Sequence, residues 1–307
     1  MNCSIENTKK RMSFILRKFG WWIPDRVYLY MMYYVQMGKM LHLKNPQTFS
    51  EKIQWLKLYN RKPEYTMMVD KYAVKEYVAD IIGKQYIIPT IGIWDNPEDI
   101  EWNLLPDQFV LKTTHGGGNK GVVICKDKAT FDKKEAINRL QKSLKQDIYR
   151  NFREWPYKNV RRRIIAEQFM ENHGKPTNEL TDYKFYCFNG TPKYCQVIKN
   201  RHENETIDFF DMEWRHQDFI GLNTTVKKNA ATTPEKPLHF KEMKELSTKL
   251  SNGIPFSRID LYEINNRTYF GEITFFPRSG FGSFRPDNYN KILGKMIILY
   301  GPGKIRD

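Results

Sequence analysis

Seventeen residues, Phe109-Val-Leu-Lys112-Thr-Thr-His115-Gly-Gly-Gly118-Asn-Lys-Gly121-Val-Val-Ile-Cys125, restrict the possible folds more than any other stretch. An apolar run carrying one lysine enters a glycine-rich loop, and a second apolar run leaves it. Gly116, Gly118 and Gly121 satisfy G-x-G-x-x-G. A dinucleotide site needs a helix after those glycines, but Val122-Val-Ile124 reads as a strand. A Walker loop needs Gly-Lys-Ser/Thr, where this chain has Gly118-Asn119-Lys120-Gly121. A protein kinase needs a downstream His-Arg-Asp and Asp-Phe-Gly, and neither tripeptide occurs. What is left is a strand–loop–strand flap over residues 109–125. The bare backbone N–H groups of Gly116, Gly117, Gly118 and Gly121 can close over a polyphosphate, with Lys112 and Lys120 at either end. The alternative is a flexible hairpin without a ligand.

The 307 residues, 40% of them hydrophobic, suffice for one large domain or two ordinary ones. No stretch approaches a membrane span, and no secretory signal is evident. Cys3, Cys125, Cys187 and Cys195 lack metal-ligand spacing. Cys187 and Cys195 flank Asn189-Gly190, the signal of a two-residue hairpin turn. In a regular register Cys195 lies opposite Lys184, which sends the two thiols to opposite faces. Reduced thiols and a cytoplasmic protein are expected. The net charge is +15, and residues 1–65 hold twelve Lys/Arg against four Asp/Glu, so more than half of the excess lies there. That balance favours a polyanionic partner: nucleic acid, acidic lipid, or an acidic glycan or nucleotide. Ordinary solubility charge is the alternative.

Between residues 9 and 40, Lys9, Lys10, Arg11, Arg17, Lys18 and Arg26 interleave with Phe14, Ile15, Leu16, Trp21, Trp22 and Tyr28. This pattern suits a basic amphipathic helix on an anionic membrane, or helices packed on the main domain, with a break at Pro24. Residues 47–59 read as a helix with Ser50 as its cap. Residues 70–81 read as a helix capped by Asp70 and stopped by Gly83, and residues 86–89 as a short strand. Asp132 and Glu135 open another helix. Residues 164–170 read as a strand and residues 182–194 as a hairpin with Asp182 and Lys184 on one face. Residues 201–237 read as loops and short strands, and residues 241–250 as a helix.

Ser257-Arg258-Ile-Asp260 and Gly271-Glu272-Ile-Thr274 belong to two strands around Asn265-Asn266-Arg267. With a three-residue turn Asp260 lies opposite Glu272, and Arg258 opposite Thr274 on the same face. Opposed carboxylates repel, and one is pushed toward protonation. A divalent cation removes the conflict, and magnesium combines carboxylates with substrate phosphates. Losing one of the two charges should then leave the metal-free protein equally or more stable. A two-residue turn would put the carboxylates on opposite faces. The alternative is a surface hairpin whose charges pair with Arg258 or Arg267.

The sequence resembles the ATP-grasp superfamily, and within it the TupA-like branch of polysaccharide-biosynthesis loci, often labelled glycosyltransferase. The matching pieces are Phe49-Ser-Glu-Lys-Ile-Gln-Trp55-Leu-Lys-Leu-Tyr59, Asp70-Lys71-Tyr-Ala-Val-Lys-Glu-Tyr-Val78, Leu105-Pro-Asp-Gln-Phe-Val-Leu-Lys112, Arg153-Glu-Trp155-Pro-Tyr157, Asp182-Tyr-Lys184-Phe and Gly271-Glu272-Ile-Thr274. The resemblance implies an α+β ATP-grasp fold, two α+β subdomains clasping ATP, with a basic helical N-terminal extension. The corresponding divisions are residues 1–65 for the extension, 66–108 for a helix–strand region, 109–168 for the flap subdomain and 169–307 for the magnesium-hairpin subdomain.

It also implies roles. Lys112 reaches the α-phosphate and adenine side, and Lys71 gives another ATP contact. Residues 116–121 fold over the β- and γ-phosphates, and His115 is a further cofactor-binding residue. Glu167, Gln168, Phe169 and Met170 form the hinge that reads adenine. Asp260 and Glu272 bind Mg2+. Most of the superfamily has asparagine where this chain has Thr274, which offers a hydroxyl. Lys184 and Arg258 are candidates for holding the transferring phosphate. The implied reaction is carboxylate–amine ligation through an acyl phosphate. Its expected partners are ATP, an acidic glycan or lipid-linked uronate acceptor, and an amino acid or other amine. Peripheral contact with an anionic membrane at its inner face fits the basic N-terminus; nucleic acid is not the expected partner. A glycosyltransferase and a non-catalytic anion-binding protein are the rivals, though no Asp-x-Asp occurs.

Overall fold

A computed structural model describes residues 2–172, 180–199, 205–222 and 229–300. The chain opens with helices α1 (Asn2–Phe19) and α2 (Asp25–Met37), separated by the 3-10 turn Gly20–Trp22 and by Pro24. Gly38, at φ 68°, ends α2 in the left-handed conformation that glycine adopts without steric cost. Helix α3 (Phe49–Tyr59) starts on a capping box between Thr48 and Glu51. Thr48, not Ser50, is the cap; Ser50 already lies inside the helix and donates to Gly282 O at 2.7 Å. Helices α4 (Glu64–Val69) and α5 (Ala73–Ile82) follow. Asp70 Oδ1 accepts from the N–H groups of Tyr72 and Ala73 at 2.8 and 3.2 Å, and Gly83 closes α5. The strand expected at residues 86–89 is absent. Lys84–Tyr86 is a 3-10 turn, and strand β1 (Thr90–Trp94) begins only after Pro89, which has no N–H to give a ladder.

β1, β2 (Phe109–Thr113), β3 (Val122–Cys125) and β4 (Ile164–Gln168) form an antiparallel sheet in the order β1-β4-β2-β3. The flap is therefore the β2–β3 connection. Helix α6 (Lys133–Leu144), capped by Asp132 through the Glu135 N–H at 3.0 Å, packs Ala136 and Leu140 against Phe109, Leu111 and Ile164. Helix α7 (Ile148–Phe152) leads back toward β4.

The larger sheet has the order β10-β9-β5-β6-β7. Its strands are β5 (Asp182–Phe188), β6 (Thr191–Lys199) and β7 (Thr206–Phe210), then, after the short β8 (Ile220–Gly221) and helix α8 (Phe240–Ser251), β9 (Phe256–Ile264) and β10 (Arg267–Thr274). β11 (Phe284–Arg285) pairs with β8, and helix α9 (Asn288–Met296) follows. Residues 49–82 bury Phe49, Ile53, Met68 and Val78 in the same core as this sheet. Residues 201–204 and 223–228 of the expected loop region lie outside the described residues.

A β-bulge between Tyr186 and Cys187 shifts the β5–β6 register, so Cys195 pairs with Phe185 rather than Lys184. Cys187 and Cys195 thus share a face, contrary to the regular-register expectation, and both are buried free thiols. Among the described residues no helix is long and apolar enough to cross a membrane.

Candidate functional site

A cavity of about 690 Å3 is lined by residues of both large sheets, within the range of roughly 300–1,000 Å3 usual for small-molecule sites. On the flap side, Lys112 of β2 and Lys75 of α5 both pair with Glu167, Nζ to Oε2 and Nζ to Oε1, each at 2.5 Å. Burial opposes ionisation of Glu167, but Lys112 and then Lys75 outweigh it and hold its carboxyl below the usual range. Lys71 is tied to the flap twice: its N–H donates to Thr114 O at 3.0 Å and its ammonium to Gly116 O. Burial lowers the Lys71 pKa, and Glu272 of the opposite sheet is the leading charge that resists the shift. Lys71 therefore sits within electrostatic reach of both halves of the cavity.

Within the flap, Gly117, Gly118 and Lys120 line the cavity, whereas His115, Gly116 and Gly121 are not part of its wall. The His115 ring is buried, with Nε2 3.2 Å from Gln146 O, and burial, then Arg162, lower its pKa. A Cβ on Gly116 would strike the Thr113 hydroxyl, and one on Gly121 would strike Ser143. Those two hydroxyls bond at 2.8 Å, so both glycines serve close packing of the flap base on α6. Only Gly118, at φ 65°, takes the left-handed backbone. Of residues 167–170, only Glu167 lines the cavity, as Ile87 and Ile88 also do; Gln168, Phe169 and Met170 do not.

The opposite wall is the β9–β10 hairpin. Its turn has two residues, Asn265 and Asn266, both at positive φ (49° and 57°), the primed geometry that matches strand twist. The three-residue turn expected from sequence does not occur, and a two-residue turn alone would send Glu272 to the other face. A β-bulge between Phe270 and Glu272 restores the pairing: Asp260 faces Glu272 and Arg258 faces Thr274. Gly271 supplies the extra residue. A Cβ there would lie 3.0 Å from Asp260 O and 2.9 Å from the Tyr262 ring.

Arg258 clamps both carboxylates. Its Nε donates to Asp260 Oδ1 at 2.6 Å, and its Nη2 to Asp260 Oδ2 at 2.7 Å, Glu272 Oε1 at 2.8 Å and Thr274 Oγ1 at 3.1 Å. Lys184 of β5, opposite Asp260 in the ladder, bonds Asp260 Oδ2 and pairs with Asp182 at 3.2 Å. Burial pushes the Asp260 carboxyl up, against Arg258 and Lys184. Burial acts the same way on Glu272, but Arg258, Lys71 and Lys184 prevail and hold it down at about 2. Glu272 adds to the rise at Asp260, as opposed carboxylates should, but Arg258 bridges the pair and Asp260 anchors two buried cations, so its removal should not raise metal-free stability.

The place between the two carboxylates, where a divalent cation would bind, is taken by the Arg258 guanidinium. One nitrogen, Arg258 Nη2, touches an oxygen of each carboxylate, so a single cationic centre can reach both. No group of three or more His, Cys, Asp or Glu among the described residues is arranged to hold a metal. Further ligands would have to be Thr274, water or substrate oxygens, as suits magnesium.

Sequence reasoning missed the third wall. Lys57 of α3 is fully buried and donates to Phe152 O and Ser279 O at 2.9 and 2.6 Å, and burial pulls its pKa well down. Ser279 Oγ donates to Glu154 Oε1 at 2.5 Å, and Gln54 Nε2 to Gly280 O at 2.9 Å. These bonds hold Arg278 and Ser279 at φ 51° and 54° on the cavity rim. One signal was available: Lys57 follows Ile53 by four residues, which places a lysine on the apolar side of α3.

The TupA-like ATPgrasp family model matches residues 51–298. The chain belongs to that family. Its antiparallel sheets and the cavity they share are the ATP-grasp architecture. Solved structures similar to this TupA-like ATP-grasp chain include D-alanine–D-alanine ligase from Helicobacter pylori, at 16% identity and TM-score 0.43, with 82% of this chain and 68% of that one covered. The ligase from Bacillus anthracis complexed with ATP shares 15% identity at TM-score 0.39, with 68% and 54% covered. The ATP-grasp ligase PsnB complexed with minimal precursor, Mg and ADP shares 12% at TM-score 0.38, with 74% and 57% covered. The TupA-like chain thus spans between 54% and 68% of the length of these three ligases. No curated protein sequence matches it.

Proposed function

We propose that the chain is an ATP- and magnesium-dependent ligase that joins an amine to a substrate carboxylate through an acyl phosphate. The observation that carries this reading is Lys71, bonded to Gly116 O of the flap with Glu272 as its leading opposite charge, beside a cavity shared by flap and hairpin. The flap amides of Gly117, Gly118 and Lys120, which line the cavity, bind the triphosphate together with the Lys71, Lys112 and Lys120 side chains, and Lys112 serves its α-phosphate end. Asp260, Glu272 and Thr274 would hold magnesium, which supplies charge neutralisation at the phosphate oxygens. Lys184 and Arg258 hold the phosphoryl group as it moves.

A carboxylate oxygen of the acceptor bonds to the γ-phosphorus while the bond to the ADP oxygen breaks. The amine nitrogen then bonds to the acyl carbon, phosphate departs with the C–O electron pair, and the amine proton goes to phosphate. The products are an amide, ADP and phosphate. A uronic acid of a bacterial surface polysaccharide, lipid-linked or free, is the acceptor that suits the basic chain, with an amino acid or other amine as nucleophile.

Purified protein should release ADP in the presence of uronates and amino acids, and should be stabilised by Mg-ATP. Lys112→Ala should lose the Mg-ATP stabilisation yet keep its fold, because Lys75 still neutralises Glu167. Stabilisation by a Mg-UDP-sugar with no response to Mg-ATP would instead make the chain a glycosyltransferase.

A further inference from the structure

Half of the twenty large apolar side chains exposed on the described chain fall between residues 12 and 40. They are not scattered. Phe14, Ile15 and Phe19 project from α1 at 49–56% exposure, and Trp21 and Trp22 from the following turn at 65% and 69%. The opposite side of α1 is satisfied: Leu16 packs with Tyr28, Met32 and Val35, and Ser13 takes a hydrogen bond from Gln36 at 2.8 Å. Charge on the outward side has one sign. Lys9, Arg11 and Lys18 are exposed, and no acidic residue occurs between Glu6 and Asp25. The Lys18 ammonium lies over the rings of Phe14 and Phe19, 5.8 and 5.3 Å from their centroids.

We infer that this face docks on the surface of an anionic membrane. A helix flank carrying aliphatic and aromatic groups among cations alone matches a boundary that is apolar below and negative above. Two adjacent tryptophans suit the headgroup level, where an apolar ring and a polar N–H are both accommodated. A nucleic acid would complement the charge but leave the aliphatic groups wet. The same helix reaches the cavity: Arg17 lines it beside Asn151 and Phe152, with its guanidinium 5.8 Å from the Phe152 ring centroid. Docking would therefore hold the cavity near the bilayer and favour an acceptor carried by a lipid. That last step rests on the ligase reading; the docking itself does not.

The test is flotation of the full chain with vesicles of phosphatidylcholine and phosphatidylglycerol, and with phosphatidylcholine alone. The chain should float only with the anionic vesicles, with a blue shift of tryptophan emission, and high salt should release it. Arg11→Ala and Lys18→Ala should each weaken partitioning about fivefold, the share of one basic residue near such a surface. The double substitution Trp21→Ser and Trp22→Ser should abolish flotation without changing the melting temperature or the Mg-ATP response. Absence of flotation, or equal flotation with neutral vesicles, overturns the proposal and leaves the ligase reading standing. Self-association that the double tryptophan variant abolishes, without vesicle binding, would assign the face to a second copy of the chain and likewise overturn it. Flotation without any Mg-ATP response would sink the ligase reading alone.

Discussion

Asp260 and Glu272 face each other, yet their environments differ enough to give them unequal weight in stability. Asp260 is buried and carries Arg258 and Lys184. Replacing it with alanine takes a shared carboxylate from two buried cations, leaving Glu272 to Arg258 and Asp182 to Lys184, and should cost about 3 kcal/mol. Glu272 is 42% exposed at its side chain, so water screens its pairing and Glu272→Gln should cost about 1 kcal/mol or less. The acid limb of the stability curve distinguishes them further. The folded pKa of Glu272 lies near 2, below its ordinary 4.5, so its contribution is complete above pH 4.5 and disappears as pH falls through 2. Urea titrations of the wild type and Glu272→Gln should differ slightly near neutrality and converge at about pH 2. Both variants should lose magnesium-dependent ADP release. Equal destabilisation by the two changes would show that burial does not divide them.

At the scale of the element, the β9–β10 hairpin depends on one glycine. The Asn265-Asn266 turn and the bulge at Gly271 are each one residue away from the simplest arrangement, and their effects on register cancel. Gly271→Ala forces a methyl group against Asp260 O and the Tyr262 ring. Overpacking of that kind costs roughly 1–3 kcal/mol, and any relief by straightening β10 would turn Glu272 and Thr274 out of the cavity. The variant should melt lower and lose its Mg-ATP response to a greater degree than Glu272→Gln loses stability. Unchanged melting and ATP response would remove the bulge from the account.

Over the whole molecule, Arg153 fastens the N-terminal helices to the body. It is fully buried at φ 58°, donates to Gly20 O and Arg150 O at 2.6 Å each, pairs with Asp25 at 3.0 Å and stacks 3.9 Å from the Tyr28 ring centroid. Arg153→Met removes all of these and leaves the Gly20 carbonyl with the Ile23 N–H at 3.2 Å in place of two donors, a loss on the order of 3 kcal/mol. Limited proteolysis should then cleave within residues 1–40 well before the rest of the chain. Simultaneous digestion of both parts would mean that α1 and α2 are not a separately released unit.

The helices around Pro24, Asp70, Gly83 and Asp132, the flap between β2 and β3, and the family itself were legible in the sequence. Caps, breaks and glycine loops are set by hydrogen bonds and sterics within a few residues, so a short window carries them. The bulges at Gly271 and beside Cys187, the pairing of Lys184 and Arg258 with Asp260, and the burial of Lys57 beside Glu154 were decided by tertiary structure. Register depends on which side chains a neighbouring strand or helix accepts, and a charge enters the interior only where partners distant in sequence meet it there. Those partners lie 76 residues apart for Lys184 and Asp260 and 222 for Lys57 and Ser279, beyond the reach of any local pattern.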